Sequence, residues 1–193
     1  PVASLQEEYD TSMAGTIEAV MPQGKVIGTR DSGACRFSAI PFAQAPVGSL
    51  RFRPPQPAQW RGTLDATRPG PVAPQLPSRL REAMGDFDAP QSEDCLHLTV
   101  WTPAADRRRR PVVLWLHGGA WQSGAGALDW YSGAQLAARG DIVDGLHHSL
   151  DDGKEGLSPR WCHRVAQVID QMRTQCNGLR AHLSPFKNVV WLD

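Results

Sequence analysis

A short apolar segment followed by small residues carries the clearest chemical signal in this 193-residue chain. Val112–Leu116 is an apolar run, and it ends at the sequence His117-Gly118-Gly119-Ala120. A run of this length bounded by glycines predicts a strand that is buried on both faces. Because glycine has no β-carbon, the loop after the strand can present backbone N–H groups to a ligand. Such groups stabilise the negative charge that develops on a carbonyl oxygen under nucleophilic attack.

The group that would attack such a carbonyl is not evident from the sequence. A nucleophilic serine on a sharp strand-to-helix turn lies in the pattern Gly-x-Ser-x-Gly, and no segment of the 193 residues fits it. Ser123 and Ser132 lack the flanking glycines. We expect Ser123 to lie in a loop and Ser132 to cap a helix. Ser149 adjoins His147 and His148, but adjacent residues rarely face each other with nucleophile–base geometry. No nucleophile is therefore assigned.

The composition limits the classes of function. Lysine plus arginine number 20 and aspartate plus glutamate number 20, so the formal net charge at pH 7 is zero. Nothing in that balance would draw the chain to nucleic acid or to an anionic membrane surface. The arginine run at 107–110 is interpreted as a solvated turn between two strands. We therefore expect no nucleic-acid partner. No apolar stretch approaches the length of a membrane span, so we also expect no membrane span.

The cysteines bear on the redox environment. An even count of four permits two disulfides, but the density is far below that of a disulfide-stabilised secreted scaffold. We therefore expect free thiols and, as a working hypothesis, a cytoplasmic location. The N-terminal segment has no basic or apolar leader pattern, yet secretion stays open because the chain begins at Pro1. The four cysteines are Cys35, Cys95, Cys162 and Cys176.

The late cysteines and histidines suggest one metal arrangement. Cys162, His163, Cys176 and His182 are residue types that bind zinc, but their spacing contains no close Cys-x-x-Cys pair. Ordinary core and surface positions are the favoured interpretation, and no metal site is expected.

The first half of the chain reads as extended segments and irregular connections. Short strands are predicted at 16–20 and 25–30, joined by a tight turn, and a further extended segment is predicted at 34–43. A high density of prolines at 54–79 predicts a long irregular segment lying over a core made by other elements. Alternating apolar and polar residues predict a strand at 96–101.

The second half changes character in the middle of a predicted element. A short helix is predicted at 132–138, with Gly140 at the position of a left-handed cap. The next buried strand begins at 141–143 and is expected to stop there, because the chain becomes polar and turn-rich from Asp144. A last amphipathic helix is predicted at about 158–176.

Several short motifs occur in a definite order along the first two-thirds of the chain. They are Phe37-Ser-Ala-Ile-Pro-Phe-Ala43, Ala45-Pro-Val-Gly48, Leu50-Arg-Phe-Arg-Pro-Pro55, Trp60-Arg-Gly62, Gly70-Pro71, Gln91-Ser-Glu-Asp-Cys-Leu96, Val100-Trp-Thr-Pro103, His117-Gly-Gly-Ala-Trp121, Gly124-Ala-Gly126 and Leu136-Ala-Ala-Arg-Gly-Asp141. In this order they resemble the type-B carboxylesterase family of the α/β-hydrolase fold. That family includes bacterial para-nitrobenzyl esterases, animal carboxylesterases and cholinesterases. The resemblance covers about residues 16–143.

The resemblance implies a fold class, α/β, and an activity. The fold would be the N-terminal part of an α/β-hydrolase fold, with an incomplete sheet. The activity would be hydrolysis of small-molecule esters by a serine, a histidine and an acidic residue, without metal or cofactor. Gly119 and Ala120 match the positions whose backbone N–H groups form the oxyanion hole. Gly118 would give the loop flexibility, and His117 would support the loop rather than act as the base.

The resemblance also implies two structural features. Arg51 and Glu93 match residues that form a buried ion pair, and removing one partner of such a pair costs about 3–5 kcal/mol. Cys95 matches a cysteine that often pairs with one just after a Gly-Pro turn, but residues 70–75 contain no cysteine. We therefore expect this local disulfide to be missing, with Cys35 as a weak substitute partner.

The departure from the family pattern begins at Asp144. We hypothesise that residues 1–143 are the N-terminal part of a carboxylesterase domain, and that 144–193 form a divergent, partly helical tail of unrelated sequence. A sheet ending there would leave an unpaired edge. Two functions stay open: an ester hydrolase by descent that is inactive alone because it lacks the nucleophile, or a non-catalytic remnant or binding module derived from an esterase.

Overall fold

The computed structural model describes residues 15–21, 23–31, 33–77, 89–106, 108, 110–119, 123–140, 142–146, 181–183 and 189–192.

The chain opens with a β-hairpin. Thr16–Met21 (β1) and Gly24–Asp31 (β2) pair antiparallel, with Met21 opposite Gly24 at the turn. Ala34–Pro41 (β3) then pairs antiparallel with β2. The predicted hairpin and the extended segment that follows it are confirmed.

The other elements are short. The strands are Thr63–Asp65 (β4), His97–Thr102 (β5), Val112–Leu116 (β6), Ile142–Leu146 (β7), Ala181–Leu183 (β8) and Val189–Leu192 (β9). The one α-helix within the described ranges is Ala134–Ala138 (α1). Single 3-10 turns occur at Gly48–Leu50 and Asp129–Tyr131.

The strands form one mixed sheet in the order β1-β2-β3-β5-β7-β6-β9-β8, with β4 paired to β2. Most neighbours are antiparallel, whereas β2 and β4 pair parallel, as do β6 and β7. The β6–β7 register runs from Val112 opposite Ile142 to Leu116 opposite Leu146. The carboxyl ends of β6 and β7 therefore meet at the same edge. In open α/β sheets that edge is where ligand-binding loops gather.

Strand β6 lies in the core, as its apolar run predicted. Leu114 has no exposed surface, and it belongs to one apolar cluster with Val112 and Leu116. Val113 packs in a second cluster, with Trp101 and other residues. Since successive side chains point to opposite faces, the two clusters cover the two faces, and the prediction of a doubly buried strand is confirmed.

Strand β7 is longer than the sequence suggested. It continues to Leu146, three residues beyond the predicted end at Val143, so that end was wrong. The reason is backbone pairing: Asp144 lies opposite Leu114 of β6 and Val100 of β5. With partners on both sides, its backbone groups form ladder hydrogen bonds whatever the polarity of the side chain.

The sheet edge at β6 is also paired. β9 runs antiparallel to β6, with Trp115 opposite Val189, and β8 pairs with β9. The expectation of an unpaired edge after the early strands was therefore wrong, because two segments from beyond residue 144 supply the missing backbone partners. The helix predicted at about 158–176 lies outside the described residues.

Helix α1 begins later than predicted. It starts at Ala134, and its N-cap residue is Gly133 rather than Ser132. The Ser132 hydroxyl accepts only a long hydrogen bond, 3.5 Å, from the Ala134 N–H. Gly140 has φ of +120°, the positive value expected after the helix.

The two connections predicted to be irregular are largely so. From 54 to 77 the chain forms only the three-residue strand β4. The arginine run lies between β5 and β6, where Arg110 donates to both carboxylate oxygens of Asp106, at 2.5 and 2.8 Å. Residues 107 and 109 lie outside the described residues.

Candidate active site

The loop that follows β6, residues 117–124, contains the glycines that the sequence singled out. Gly119 has φ of +138°, a conformation that disfavours side chains. A β-carbon on Gly119 would overlap the backbone of Ser123. The carbonyl oxygen of Gly119 accepts a hydrogen bond from the Ser123 N–H at 3.1 Å, which closes the turn. Ala120 lies outside the described residues.

His117 is buried at the carboxyl end of β6, with 7% of its surface exposed. Its Nδ1 lies 2.8 Å from the carbonyl oxygen of Gly118. Since a carbonyl can only accept, Nδ1 carries the proton in this contact. The imidazole is thus tied to the backbone of its own loop.

Gly124 ends the loop by packing against its beginning. A β-carbon on Gly124 would lie 2.5 Å from the Gly118 carbonyl oxygen and 2.8 Å from Nδ1 of His117. Gly124 also has φ of +113°. Glycine is therefore required here for both space and backbone conformation.

A residue that the sequence analysis missed contacts the end of this loop. Gln75 donates from Nε2 to the carbonyl oxygen of Gly124 at 3.0 Å, and Gly124 donates its N–H to Oε1 of Gln75 at 2.6 Å. The two residues are 49 positions apart. Gln75 is one glutamine in a proline-rich segment, and no motif or periodicity around it predicts this contact.

The segment that carries Gln75 is itself held in place. Val72 bridges to Gln91: its N–H donates to the Pro90 carbonyl at 2.8 Å, and its own carbonyl accepts from Ser92 at 2.9 Å. Oε1 of Gln91 accepts from the Gln75 backbone N–H at 3.0 Å. Gln75 thus joins the 90–92 segment to the loop after β6.

Arg51 and Glu93 form an ion pair between their side chains, which the structure brings together across 42 residues. The side chains are 53% and 41% exposed, so the expectation of a buried pair was wrong. The physical reason is local: Arg51 follows an exposed turn and its guanidinium lies 5.2 Å from the centre of the exposed Phe52 ring. Water can reach both charges.

Cys35 and Cys95 are buried free thiols. Burial raises the pKa of Cys95 to about 11, and the neighbouring carboxylates of Asp94 and Glu93 act in the same direction. Cys95 is therefore not suited to act as a nucleophile at neutral pH. Cys162 and Cys176 lie outside the described residues.

His97, on β5, is a second buried histidine. Its Nε2 donates to the carbonyl oxygen of Pro71 at 2.9 Å, and a β-carbon on Gly70 would overlap its ring. Burial lowers the pKa of His97, although the hydrogen bond to Pro71 opposes that shift. The close contacts indicate a packing role for this neutral imidazole.

Neither a metal cluster nor a membrane-spanning helix is found in the part of the chain that the structure describes. No three side chains of the His, Cys, Asp and Glu types converge there, and no helix there is long and apolar enough to cross a bilayer. Of the four zinc candidates, His182 lies on β8, and Cys162, His163 and Cys176 lie outside the described residues. So do Ser149, His147 and His148.

The family of the chain follows from the region that contains strands β1 to β6 and the glycine-dependent loop after β6. Residues 16–143 match the model of the Carboxylesterase family, well over half of the chain. The chain belongs to the carboxylesterase family.

Individual members agree with this assignment. This carboxylesterase-family chain is 42% identical over 121 residues to the para-nitrobenzyl esterase of Bacillus subtilis (strain 168), covering 62% of this chain and 24% of that protein. It is 45% identical over 112 residues to acetylcholinesterase-1 of Trittame loki, covering 55% and 20%. The chain thus spans about a quarter of the length of these relatives, or less.

Solved structures show the same fold. The structure of a thermophilic PNB esterase matches with a TM-score of 0.63 at 41% identity, covering 69% of this chain and 28% of that one. The predicted fold class, α/β with part of an α/β-hydrolase fold, is confirmed.

Proposed function

We propose that this chain carries the oxyanion loop of a carboxylic-ester hydrolase. The observation that carries the proposal is the backbone of Gly119, whose positive φ and lack of space for a β-carbon shape the loop directly after a buried central strand. In a member of the carboxylesterase family, a glycine-rich loop at this place is of the type that binds the oxyanion.

The chemistry assigned to the loop is electrostatic. When a nucleophile adds to an ester carbonyl, the oxygen becomes negatively charged, and the N–H groups of Gly119 and Ala120 would donate to it. Donors that are held in advance need no reorganisation when the charge appears. Gly118 gives the loop flexibility, and His117 supports the loop through its contact with the Gly118 carbonyl.

We further propose that the 193 residues alone do not hydrolyse esters. They contain no Gly-x-Ser-x-Gly segment, and an oxyanion hole without nucleophile and base retains only a small part of the catalysis. The substrate class is small-molecule esters, as the name of the para-nitrobenzyl esterase relative suggests. No cofactor or metal is part of the proposal.

The absence of that serine motif favours one second candidate, a non-catalytic remnant or binding module that keeps the esterase fold. Incubation of the purified chain with a fluorophosphonate separates the proposals. Intact mass without an adduct, beside a full-length relative that is labelled, agrees with an inactive chain. A single adduct that maps to one serine would refute inactivity and identify the nucleophile.

The oxyanion role itself can be tested in a chimera. Residues 16–143 would replace the matching segment of the Bacillus subtilis relative, and hydrolysis of a p-nitrophenyl ester would be measured. Ala120→Pro removes one donor N–H and should lower kcat by about 10²–10³-fold, whereas Ala120→Ser keeps the N–H and should change kcat little. Equal activity of the two variants in a folded chimera would refute the oxyanion role.

A further inference from the structure

The side-chain amide of Gln75 and the backbone of Gly124 form a reciprocal pair of hydrogen bonds. One runs from Nε2 of Gln75 to the Gly124 carbonyl oxygen at 3.0 Å, and the other from the Gly124 N–H to Oε1 of Gln75 at 2.6 Å. Each residue is both donor and acceptor, so the pair sets the orientation of the Gly124 peptide as well as its position.

The carboxamide of Gln75 has little freedom left. Its Nε2 also donates to the carbonyl oxygen of Ala73 at 3.0 Å, so both amide protons are used. The backbone N–H of Gln75 donates to Oε1 of Gln91 at 3.0 Å. Contacts within its own segment and with Gln91 therefore fix the position of the Gln75 side chain, which can in turn fix the position of Gly124.

Gly124 transmits this restraint to the start of the loop. Its α-carbon packs so closely on Gly118 and His117 that no side chain would fit. Its neighbour Ser123 donates its backbone N–H to the carbonyl oxygen of Gly119 at 3.1 Å. Holding Gly124 thus holds both ends of the 117–124 turn.

We propose that Gln75 is a positioning residue for the oxyanion loop. It acts through Gly124 and keeps the backbone of Gly118 and Gly119 in one orientation. This inference rests on the proposed function for its catalytic meaning, but the mechanical role can be measured without any ester hydrolysis.

Hydrogen–deuterium exchange of the full chain gives that measurement. Gln75→Met keeps the length of the side chain and removes all of its side-chain hydrogen bonds. Peptides that cover 116–126 should then exchange at least about tenfold faster, because the two lost hydrogen bonds to Gly124 no longer stabilise the closed loop. Peptides of β5, residues 97–102, should keep the wild-type rate. Gln44→Met is the matched control, because Nε2 of Gln44 makes an exposed bond to the Pro57 carbonyl, 3.3 Å.

Gln75→Glu adds a pH dependence that a general loss of stability would not produce. The carboxylate can accept from the Gly124 N–H but has no proton for the Gly124 carbonyl, so 116–126 should exchange faster at pH 7. Below about pH 4.3, the ordinary pKa of a glutamate, the protonated acid can donate again. Protection relative to the wild type at the same pH should then recover in part.

Unchanged exchange of 116–126 in both Gln75 variants would overturn the proposal. Faster exchange spread equally over 97–102 and 116–126, with no recovery at low pH in Gln75→Glu, would overturn it as well. Failure of the proposed function has a different signature: Ala120→Pro and Ala120→Ser would be equally active in the chimera while the exchange results for Gln75 stayed as expected.

Discussion

The backbones of Gly119 and Ser123 are in direct contact across the turn after β6. The Gly119 carbonyl accepts the Ser123 N–H at 3.1 Å, and the position of a β-carbon on Gly119 is already occupied by the Ser123 carbonyl. With φ of +138° at Gly119, the turn depends on glycine for both space and conformation. The relationship explains why position 119 is a glycine, and it leads to the first prediction.

Gly119→Ala should destabilise the protein by at least about 2 kcal/mol, because the new methyl group forces the Ser123 backbone to move and φ is strained. Urea unfolding followed by circular dichroism would measure the free energy of unfolding. Gly118→Ala is the matched control, since a β-carbon there meets nothing within 4 Å; it should change stability by less than about 0.5 kcal/mol. Equal effects of the two variants would refute this account of the turn.

Gly33→Ala separates backbone strain from overlap. Gly33 has φ of +82° and open space around it, so only the cost of the left-handed conformation, about 1–2 kcal/mol, is expected. A loss in Gly33→Ala as large as in Gly119→Ala would show that overlap with Ser123 contributes nothing.

The ion pair between Arg51 and Glu93 should contribute less than about 1 kcal/mol, because both side chains are exposed to solvent. A double-mutant cycle with Arg51→Met and Glu93→Gln would give the coupling energy, and raising the salt concentration should reduce it. The exposed pair of Lys25 and Glu18, at 2.8 Å, serves as a matched control. A coupling of about 3–5 kcal/mol, insensitive to salt, would restore the expectation of a buried pair.

Cys95 should resist alkylation in the folded protein. With a pKa of about 11, only about one thiol in a thousand is ionised at pH 8, and the side chain is buried. Iodoacetamide treatment followed by peptide mass mapping should leave Cys95 and Cys35 unmodified, whereas both should react in urea. Rapid labelling of Cys95 without denaturant would contradict its burial.

His97 should make stability fall as the pH drops below about 6.5. Its pKa is lowered in the folded state by burial, so the unfolded chain takes up the proton first and the folded state loses relative stability as the pH falls. The expected slope for one proton is at most about 1.4 kcal/mol per pH unit. The contribution is fully present above pH 6.5.

Comparison of the wild type with His97→Gln between pH 7.5 and 5.5 isolates this contribution. Glutamine keeps an N–H that can donate to the Pro71 carbonyl but does not titrate, so the pH dependence of its free energy of unfolding should be shallower. Parallel pH profiles of the two proteins would show that His97 does not carry the effect.

Local pattern was sufficient for several elements. The hairpin of β1 and β2, the strand β5 and the buried strand β6 follow from apolar periodicity and turn residues, which act within a few positions along the chain. Family membership followed from short motifs in order and agrees with the match over residues 16–143. The oxyanion role of Gly119 and Ala120 stays a prediction.

Other features depended on neighbours that are distant in sequence. The polar residue Asp144 lies inside β7 because β5 and β6 offer hydrogen-bonding partners on both sides. Arg51 and Glu93, 42 positions apart, meet at the surface with both side chains exposed, and neither residue type indicates that exposure.

By itself, the sequence of this chain determined its family, its central strand and the position of a glycine-rich loop. Each of these features depends on residues that are close together along the chain. Only the tertiary structure decided which residue holds that loop. Gln75 and Gly124 are 49 positions apart, and no sequence pattern around either residue predicts that they contact each other. Their pairing arises from the way the proline-rich segment is laid against the end of β6, and packing over that range is a property of the folded chain as a whole.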